Sequence, residues 1–221
     1  MKNILIYGAS GHARMIVDII HRNNSLTIKG FVDSYKSVGE IIDGYKVIGD
    51  LEQLSHFIQK LDIEGIVVAI GDNYSRQSAY MKIRERHPDL EFVSIIHPSA
   101  ILATGASIGE GTVIMANVVI NANAKVGKLC ILNTSSILGH DSFINDFSSL
   151  ASSASVAGNV QVGFCSAICL DASVIQNVII GNNTVIGAKS LVLKSIGDLK
   201  KAYGNPITII KDRAEDSKYL G

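Results

Sequence analysis

The sequence predicts an α/β domain followed by an all-β one: a doubly wound parallel sheet over the first hundred residues, then a parallel β-helix. Three observations predict it. Up to Ile96, short apolar runs alternate with stretches of helical spacing. From Leu102 to Val192 an aliphatic residue returns at every sixth position without a slip. Between the two lies His97-Pro98-Ser99, where a proline stops ladder pairing as the composition changes. The domains are therefore expected at 1–97 and 98–221.

In the first domain, Asn3–Tyr7 reads as a short apolar strand and Gly8-Ala-Ser-Gly11 as a turn. His12–Arg22 is a helix, with Met15, Ile16, Ile19 and Ile20 on one face. Ile28–Val32 is a second strand ending at Asp33. Leu51–Leu61 reads as a helix, Gly65–Ile70 as a third strand, Tyr74–His87 as a helix and Phe92–Ile96 as the final strand.

The repeat domain runs through Leu102, Ile108, Ile114, Ile120, Val126, Leu132, Leu138, Ile144, Leu150, Val156, Val162, Ile168, Val174, Ile180, Ile186 and Val192. A helix repeats every 3.6 residues and a half-buried strand every 2. Neither marks every third inward position, so this is a repeat architecture. Gly or Asn often follows the aliphatic, as at Gly109, Asn121, Gly127, Asn133, Gly139 and Gly163. Such residues suit a corner, through positive φ or close backbone approach. Three short strands and three corners close a triangular coil, and coils stack about 4.8 Å apart. Equivalent aliphatics one coil apart should then form internal columns. Ile108, Val126, Ile144, Val162 and Ile180 make the first, Ile114, Leu132, Leu150, Ile168 and Ile186 the second, and Ile120, Leu138, Val156, Val174 and Val192 the third.

Composition narrows the function. The 221 residues carry 20 Lys+Arg against 20 Asp+Glu, which argues against broad binding to nucleic acid or an anionic membrane. No apolar run is long enough to span a bilayer, and the start reads as a first strand rather than a signal peptide. Three cysteines, Cys130, Cys165 and Cys169, suggest reduced thiols in the cytoplasm. Their spacing offers no metal site. None has a histidine in register, so no acyl-cysteine is expected.

Two places carry candidate chemistry. The strand–glycine turn–helix unit at Gly8–Gly11 suits a phosphate at a helix N-terminus, and Asp33 could take a ribose hydroxyl. Ala13 stands where the dinucleotide fingerprint has its third glycine. Ala69-Ile70-Gly71-Asp72-Asn73 ends the third strand on the same sheet edge, followed by Arg76. A nucleotide is the leading ligand, with NAD(P) and a nucleotide sugar as the two candidates. In the repeats, His140 is the only histidine in register. It lies two residues past Leu138, beside the small column mates Ala122 and Gly158, and Asp141 follows to raise its basicity. That pair suits general-base work on an amine or hydroxyl.

The phrases IYGASGHA, AIGDN, IHPSA, NTSSILGHD, AGNVQVG and GNP, in order along almost the whole chain, resemble the PglD/NeuD-like sugar acyltransferases. The resemblance implies a Rossmann-like domain joined to a left-handed β-helix of hexapeptide repeats. It also implies homotrimers with the active site between neighbouring prisms, acetyl-CoA as donor, and a nucleotide-activated amino sugar as acceptor. No metal, nucleic acid or membrane insertion is implied, and the setting would be cytoplasmic. Residue by residue, His140 matches the base, Asp141 its acidic neighbour, and Asn133 an asparagine near the reacting centre. Gly8, Ser10, Gly11, His12, Asp33, Gly71, Asp72 and Asn73 match the nucleotide-sugar pocket. Gly158 and Ala188 match positions where backbone approaches CoA, and Gly204 and Pro206 a C-terminal loop near it. The chain departs at Ser149, where the family usually has histidine near the acetyl-CoA end, and around Gly187, where Lys189 would instead meet a CoA phosphate. The expected activity is N-acetylation of the 4-amino group of a nucleotide-linked amino-dideoxy sugar by direct transfer. O-acetylation of sialic acid or another sugar, and nucleotide-sugar binding without catalysis, are the alternatives.

Overall fold

The computed structural model describes residues 1–23 and 25–218. Its first domain is built on β1 (Lys2–Tyr7), α1 (Gly11–Asn23), β2 (Leu26–Val32), β3 (Ile41–Ile42), β4 (Tyr45–Gly49), α2 (Leu54–Lys60), β5 (Gly65–Val68), α3 (Asn73–Arg86) and β6 (Glu91–Phe92). The sheet order is β3-β4-β2-β1-β5-β6, parallel except for the β3–β4 hairpin. That hairpin is absent from the sequence reading, although Asp43-Gly44 between two short apolar runs is a hairpin signal. Helix α1 buries Ile16, Ile19 and Ile20 with Ile4, Ile6 and Phe31 on one face of the sheet. On the other face α2 and α3 bury Leu54, Phe57, Ala79 and Ile83 with Leu5, Ile66 and Val68. The alternation of inward residues along β1 thus serves two cores, one per face. With β2 and β5 on either side of it, β1 marks the switch point, whose crevice opens at Gly8.

The expected strand Phe92–Ile96 divides in two. Glu91–Phe92 closes the first sheet beside β5. Ile95–Ile96 pairs with Val113–Ile114 and forms the first rung of the prism. Asn23 at the end of α1 donates from Nδ2 to the Ile96 carbonyl at 2.8 Å, which seats α1 on that rung.

The prism is a left-handed parallel β-helix of three sheets. All three aliphatic columns form as expected: Val126 pairs with Ile108 and Ile144, Leu132 with Ile114 and Leu150, and Leu138 with Ile120 and Val156. Leu132, Leu138, Ile144 and Leu150 are completely buried. Hydroxyls knit the coils together. Ser148 Oγ donates to the Gly163 carbonyl and accepts from the Ser166 amide, and Ser166 Oγ repeats this with Gly181 and Thr184.

The corner chemistry differs from expectation. The left-handed residue is not the one after the inward aliphatic but the one two further on: Asn117, Asn123, Ser135, Asp141, Asn159 and Asn177 all have φ between 54° and 61°. Glycines directly after the aliphatic answer a steric demand instead. A Cβ at Gly109 or Gly163 would come 2.5 Å from the carbonyl carbon of Gly127 or Gly181 in the next coil. On one edge the left-handed residues are bulky, Leu129, Phe147 and Cys165. Left-handed backbone costs such side chains roughly 1–2 kcal/mol each. Burial against α3 and β6 offsets that, because all three join the core containing Tyr80, Ile83 and Phe92.

After Val192 the count of six ends. A hairpin, Lys200–Gly204 with Ile207–Asp212, caps the prism, and its first strand extends the sheet beside Val185–Ile186.

Candidate active site

The ends of β1, β2 and β5 converge as the sequence suggests. Gly8, Ser10, Asp33 and Gly71 line one cleft of about 430 Å³, together with Tyr35, Tyr74, Lys82 and Lys218. Gly8 is required there: its φ is +100°, and a Cβ would lie 2.9 Å from the Ala69 carbonyl oxygen. The Asp33 carboxylate braces the turn, accepting from the Ala9 amide at 2.8 Å and from Tyr35 and Lys36 at 2.7 and 3.0 Å. Gly11 opens α1, and a Cβ on it would meet nothing.

Three residues expected in that group sit elsewhere or have other partners. Asp72 caps α3, accepting from the amide and hydroxyl of Ser75 at 2.9 and 2.8 Å. Asn73 is buried; its Nδ2 donates to the Ser166 carbonyl at 3.0 Å and its Oδ1 accepts from Arg76. Its side chain is committed to the prism. His12 turns into a second cleft.

This second cleft, about 530 Å³, lies between the first turns of α1 and one prism face. Its floor is the outward column Ile131, Ser149, Ala167, Val185 and Lys201; Asn133, Ala188, His12 and Gly71 complete the wall. Gly71 therefore lines both clefts. The floor is apolar and small, and Ser149 is 7% exposed. His12 Nε2 is buried without a hydrogen-bond partner. Burial, aided by the Arg76 charge, pushes its pKa down to about 4, so the ring is neutral. Lys201 and Cys169 were not expected here. Lys201 pairs with Val185 sixteen residues earlier, where the eighteen-residue count has already broken. Burial raises the pKa of all three thiols, Cys130 to about 12 and Cys165 to about 11, which keeps them unreactive.

His140 stands on a different corner. Its Nδ1 lies 2.7 Å from Asp141 Oδ2, and Asn123 Nδ2 donates to Asp141 Oδ1 at 3.2 Å. The His140 hydrogen bond, then that from Asn123, holds the Asp141 carboxyl below its usual range. An ionised carboxylate only accepts, so the ring donates from Nδ1 to Asp141 and turns Nε2 away from it. The imidazole is 67% exposed and lies over Gly158, where any Cβ would strike the ring. Gly158, expected at the donor, is here the platform of the histidine. Neither His140 nor Asp141 lines the cleft that holds Asn133 and Ser149. Lys189 forms a left-handed corner beside Ala188. Gly204 accompanies it through the Ser190 hydroxyl, whereas Pro206 borders a separate recess near Leu193. Among the described residues no His, Cys, Asp and Glu cluster could hold a metal, and no helix is long and apolar enough to cross a membrane.

Comparison with known proteins matches this arrangement. Residues 3–83 match the PglD N-terminal domain family. UDP-N-acetylbacillosamine N-acetyltransferase of Bacillus subtilis (strain 168) is 34% identical over 121 residues, which span 52% of this chain and 52% of that protein. The alignment thus covers about half the length of this curated relative. PerB from Caulobacter crescentus, solved with CoA and GDP-perosamine, is 32% identical with a TM-score of 0.88 over 96% of this chain and 98% of its own. The acetyltransferase domain of PglB from Neisseria gonorrhoeae FA1090, solved with acetyl coenzyme A, is 25% identical with a TM-score of 0.84 over 94% and 98% of the two chains. The chain belongs to the PglD family of acetyltransferases, which join a Rossmann-like domain to a left-handed β-helix.

Proposed function

We propose that this protein transfers the acetyl group of acetyl-CoA to the 4-amino group of a nucleotide-linked amino-dideoxy sugar, in the cytoplasm and as a homotrimer. One observation carries the reading: a corner histidine oriented by a carboxylate, on a chain that follows a CoA- and GDP-perosamine-bound sugar N-acetyltransferase over 96% of its length. Histidine variants of that Caulobacter enzyme also hold both ligands.

The roles divide by cleft. The Gly8–Asp33 cleft takes the nucleotide, with the α1 N-terminus toward its phosphates. The apolar cleft floored by Ser149 and Ala167 fits the thin pantetheine arm and thioester of the donor. Lys189 and Lys201 supply positive charge at its far end. His140 Nε2 removes a proton from the sugar amine as nitrogen attacks the thioester carbonyl. The carbon–nitrogen bond forms, the carbon–sulfur bond breaks, and the thiol leaves with a proton. Backbone amides hold the developing oxyanion. With its pKa lowered to about 4 the His12 ring is a weak base, and its unpartnered Nε2 offers a hydrogen bond to the acceptor.

The separation of His140 from the cleft supports an assembly in which neighbouring prisms share a site. Ile137 and Phe143, which flank the His140 corner, are exposed, as is Leu170 at the cleft. A neighbouring prism that covers these residues would bring its His140 to this chain's Asn133. The test is thiol release from acetyl-CoA with UDP-, dTDP- and GDP-linked 4-amino sugars. Release with one of them, abolished by His140→Ala, is the expected result. No release with any amine acceptor, or release unchanged in the variant, overturns the reading.

A further inference from the structure

Helix α3 presents Asn73, Arg76, Tyr80 and Arg84 along one stripe, at the three- and four-residue spacing of a single helix face. Each meets the prism edge. Arg84 pairs with Glu110 at 3.0 Å, and the Tyr80 ring lies 5.4 Å from that of Phe147. Arg76 is 1% exposed, and all five of its N–H groups meet an oxygen. Nε donates to the Leu129 carbonyl at 2.7 Å and Nη2 to the Phe147 carbonyl at 2.8 Å, both on the prism. Nη1 donates to the carbonyls of Ile70 and Gly71 at 3.0 and 2.8 Å, and Nη2 also to Asn73 Oδ1 at 2.7 Å. Asn73 completes the link by donating to the Ser166 carbonyl.

The two ends of this network are informative. Gly71 lines both clefts and Ile70, beside it, lines the cleft of Gly8 and Asp33. Leu129, Phe147 and Ser166 lie one or two residues before Ile131, Ser149 and Ala167, which floor the donor cleft. Apolar packing of the same volume would give comparable stability, since buried charged groups often add little to it. What apolar packing would not give is a fixed distance, because five directed hydrogen bonds define both position and orientation.

We propose that Arg76 and Asn73 are positioning residues that set the spacing between the nucleotide pocket and the donor cleft. They thereby restrict the acceptor to sugars joined directly to a nucleoside diphosphate. This rests on the proposed acetyl transfer and deepens it. A nucleotide anchored at Gly8 and Asp33 projects its sugar past Gly71 by a length the diphosphate sets. The amine meets the thioester only if the wall keeps its place over Ser149.

The experiment compares wild type, Arg76→Lys and Asn73→Asp in the full chain. Arg76→Lys keeps the charge but cannot span the five oxygens. Asn73→Asp keeps the volume and the Arg76 contact but sets an oxygen against the Ser166 carbonyl. Binding of UDP and GDP alone, binding of CoA alone, thermal midpoint and steady-state kinetics are measured for each. The expected result is ligand affinities within about twofold of wild type and a kcat on the complete nucleotide sugar about 100-fold lower, the cost of roughly 1 Å of misplacement. A kcat within about threefold of wild type in both folded variants overturns the proposal. So does a loss of nucleotide affinity that matches the loss of kcat, which would make the residues part of the nucleotide pocket. If the variants do not fold, wild type still decides. A substrate with one added methylene between diphosphate and sugar should bind about as well and turn over about 100-fold more slowly; equal turnover overturns the proposal. A wild type that neither binds UDP or GDP nor releases thiol refutes the acetyl-transfer reading itself, before the variants are considered.

Discussion

Gly158→Ala isolates the placement of His140 from its chemistry. Gly158 has ordinary backbone torsion, so alanine is tolerated locally, but the added methyl would occupy the space of the imidazole Nε2, Cε1 and Cδ2 atoms. The ring must move by about 1 Å. Because it is 67% exposed, it can do so toward solvent, and the effect on stability should stay within about 0.5 kcal/mol. Activity should suffer far more. A displacement of that size costs about 100-fold in rate, or about 2.7 kcal/mol in activation free energy. Thiol release gives kcat and both KM values, and a thermal melt gives stability. The double variant Gly158→Ala with His140→Ala should be no slower than His140→Ala alone, since both changes act on one group. A rise in the KM for acetyl-CoA with kcat unchanged would refute the argument. It would show that Gly158 serves donor approach, as the family resemblance implied.

Other predictions follow from single contacts. Gly8→Ala should cost about 1–3 kcal/mol, from the strained torsion and the Ala69 carbonyl, read as a lower urea midpoint with weaker nucleotide binding. Leu150→Ala, in the middle column and completely buried, should cost 2–5 kcal/mol in the same assay. His12 predicts a pH dependence: neutral in the folded chain to about pH 4, it titrates near 6.5 once unfolded. Its contribution, at most about 3 kcal/mol, is complete above pH 6.5 and is lost as pH falls from 6.5 toward 4, because the unfolded chain takes up the proton first. His12→Gln should flatten urea-midpoint curves over that window, and an unchanged slope would refute the assignment.

How much was legible depended on whether a feature repeats. The prism columns could be read to the residue, because each coil imposes the same demand on the same position. The corner conformation could not. Asn or Asp at the left-handed position, as at Asn117 or Asp141, is an obvious signal, but Leu129, Phe147 and Cys165 hold the same torsion. They do so because another domain buries them, a cause eighteen-residue periodicity does not contain. Lys201 was missed for a related reason, since it joins the outward column sixteen residues after Val185. The cleft at the sheet edge was readable at Gly8, Asp33 and Gly71, which end or follow parallel strands. Its side walls, Tyr35, Tyr74 and Lys82, come from loop and helix positions that no strand rule marks. Arg76 was visible, yet its polarity suggested a ligand, whereas the structure turns all five of its donors inward.

The separation of His140 from the donor cleft leads to a last prediction. If each site takes His140 from one chain and the cleft from its neighbour, two different inactive variants can repair one another. His140→Ala removes the base but leaves the cleft intact; Ser149→Trp fills the cleft floor, where the native side chain is 7% exposed, but leaves the base. Alone, each variant is inactive. Unfolded together in equal amounts and refolded, the chains mix at random. A site works when its base comes from a Ser149→Trp chain and its cleft from a His140→Ala chain, which occurs in about a quarter of pairings. About a quarter of wild-type activity per site is therefore expected, with no activity when the variants are refolded separately and then combined. A site contained within one chain would give none in either case. Retained homotrimer mass with no recovered activity would therefore place His140 and the cleft of the same chain in one site, by a movement of the corner toward Asn133.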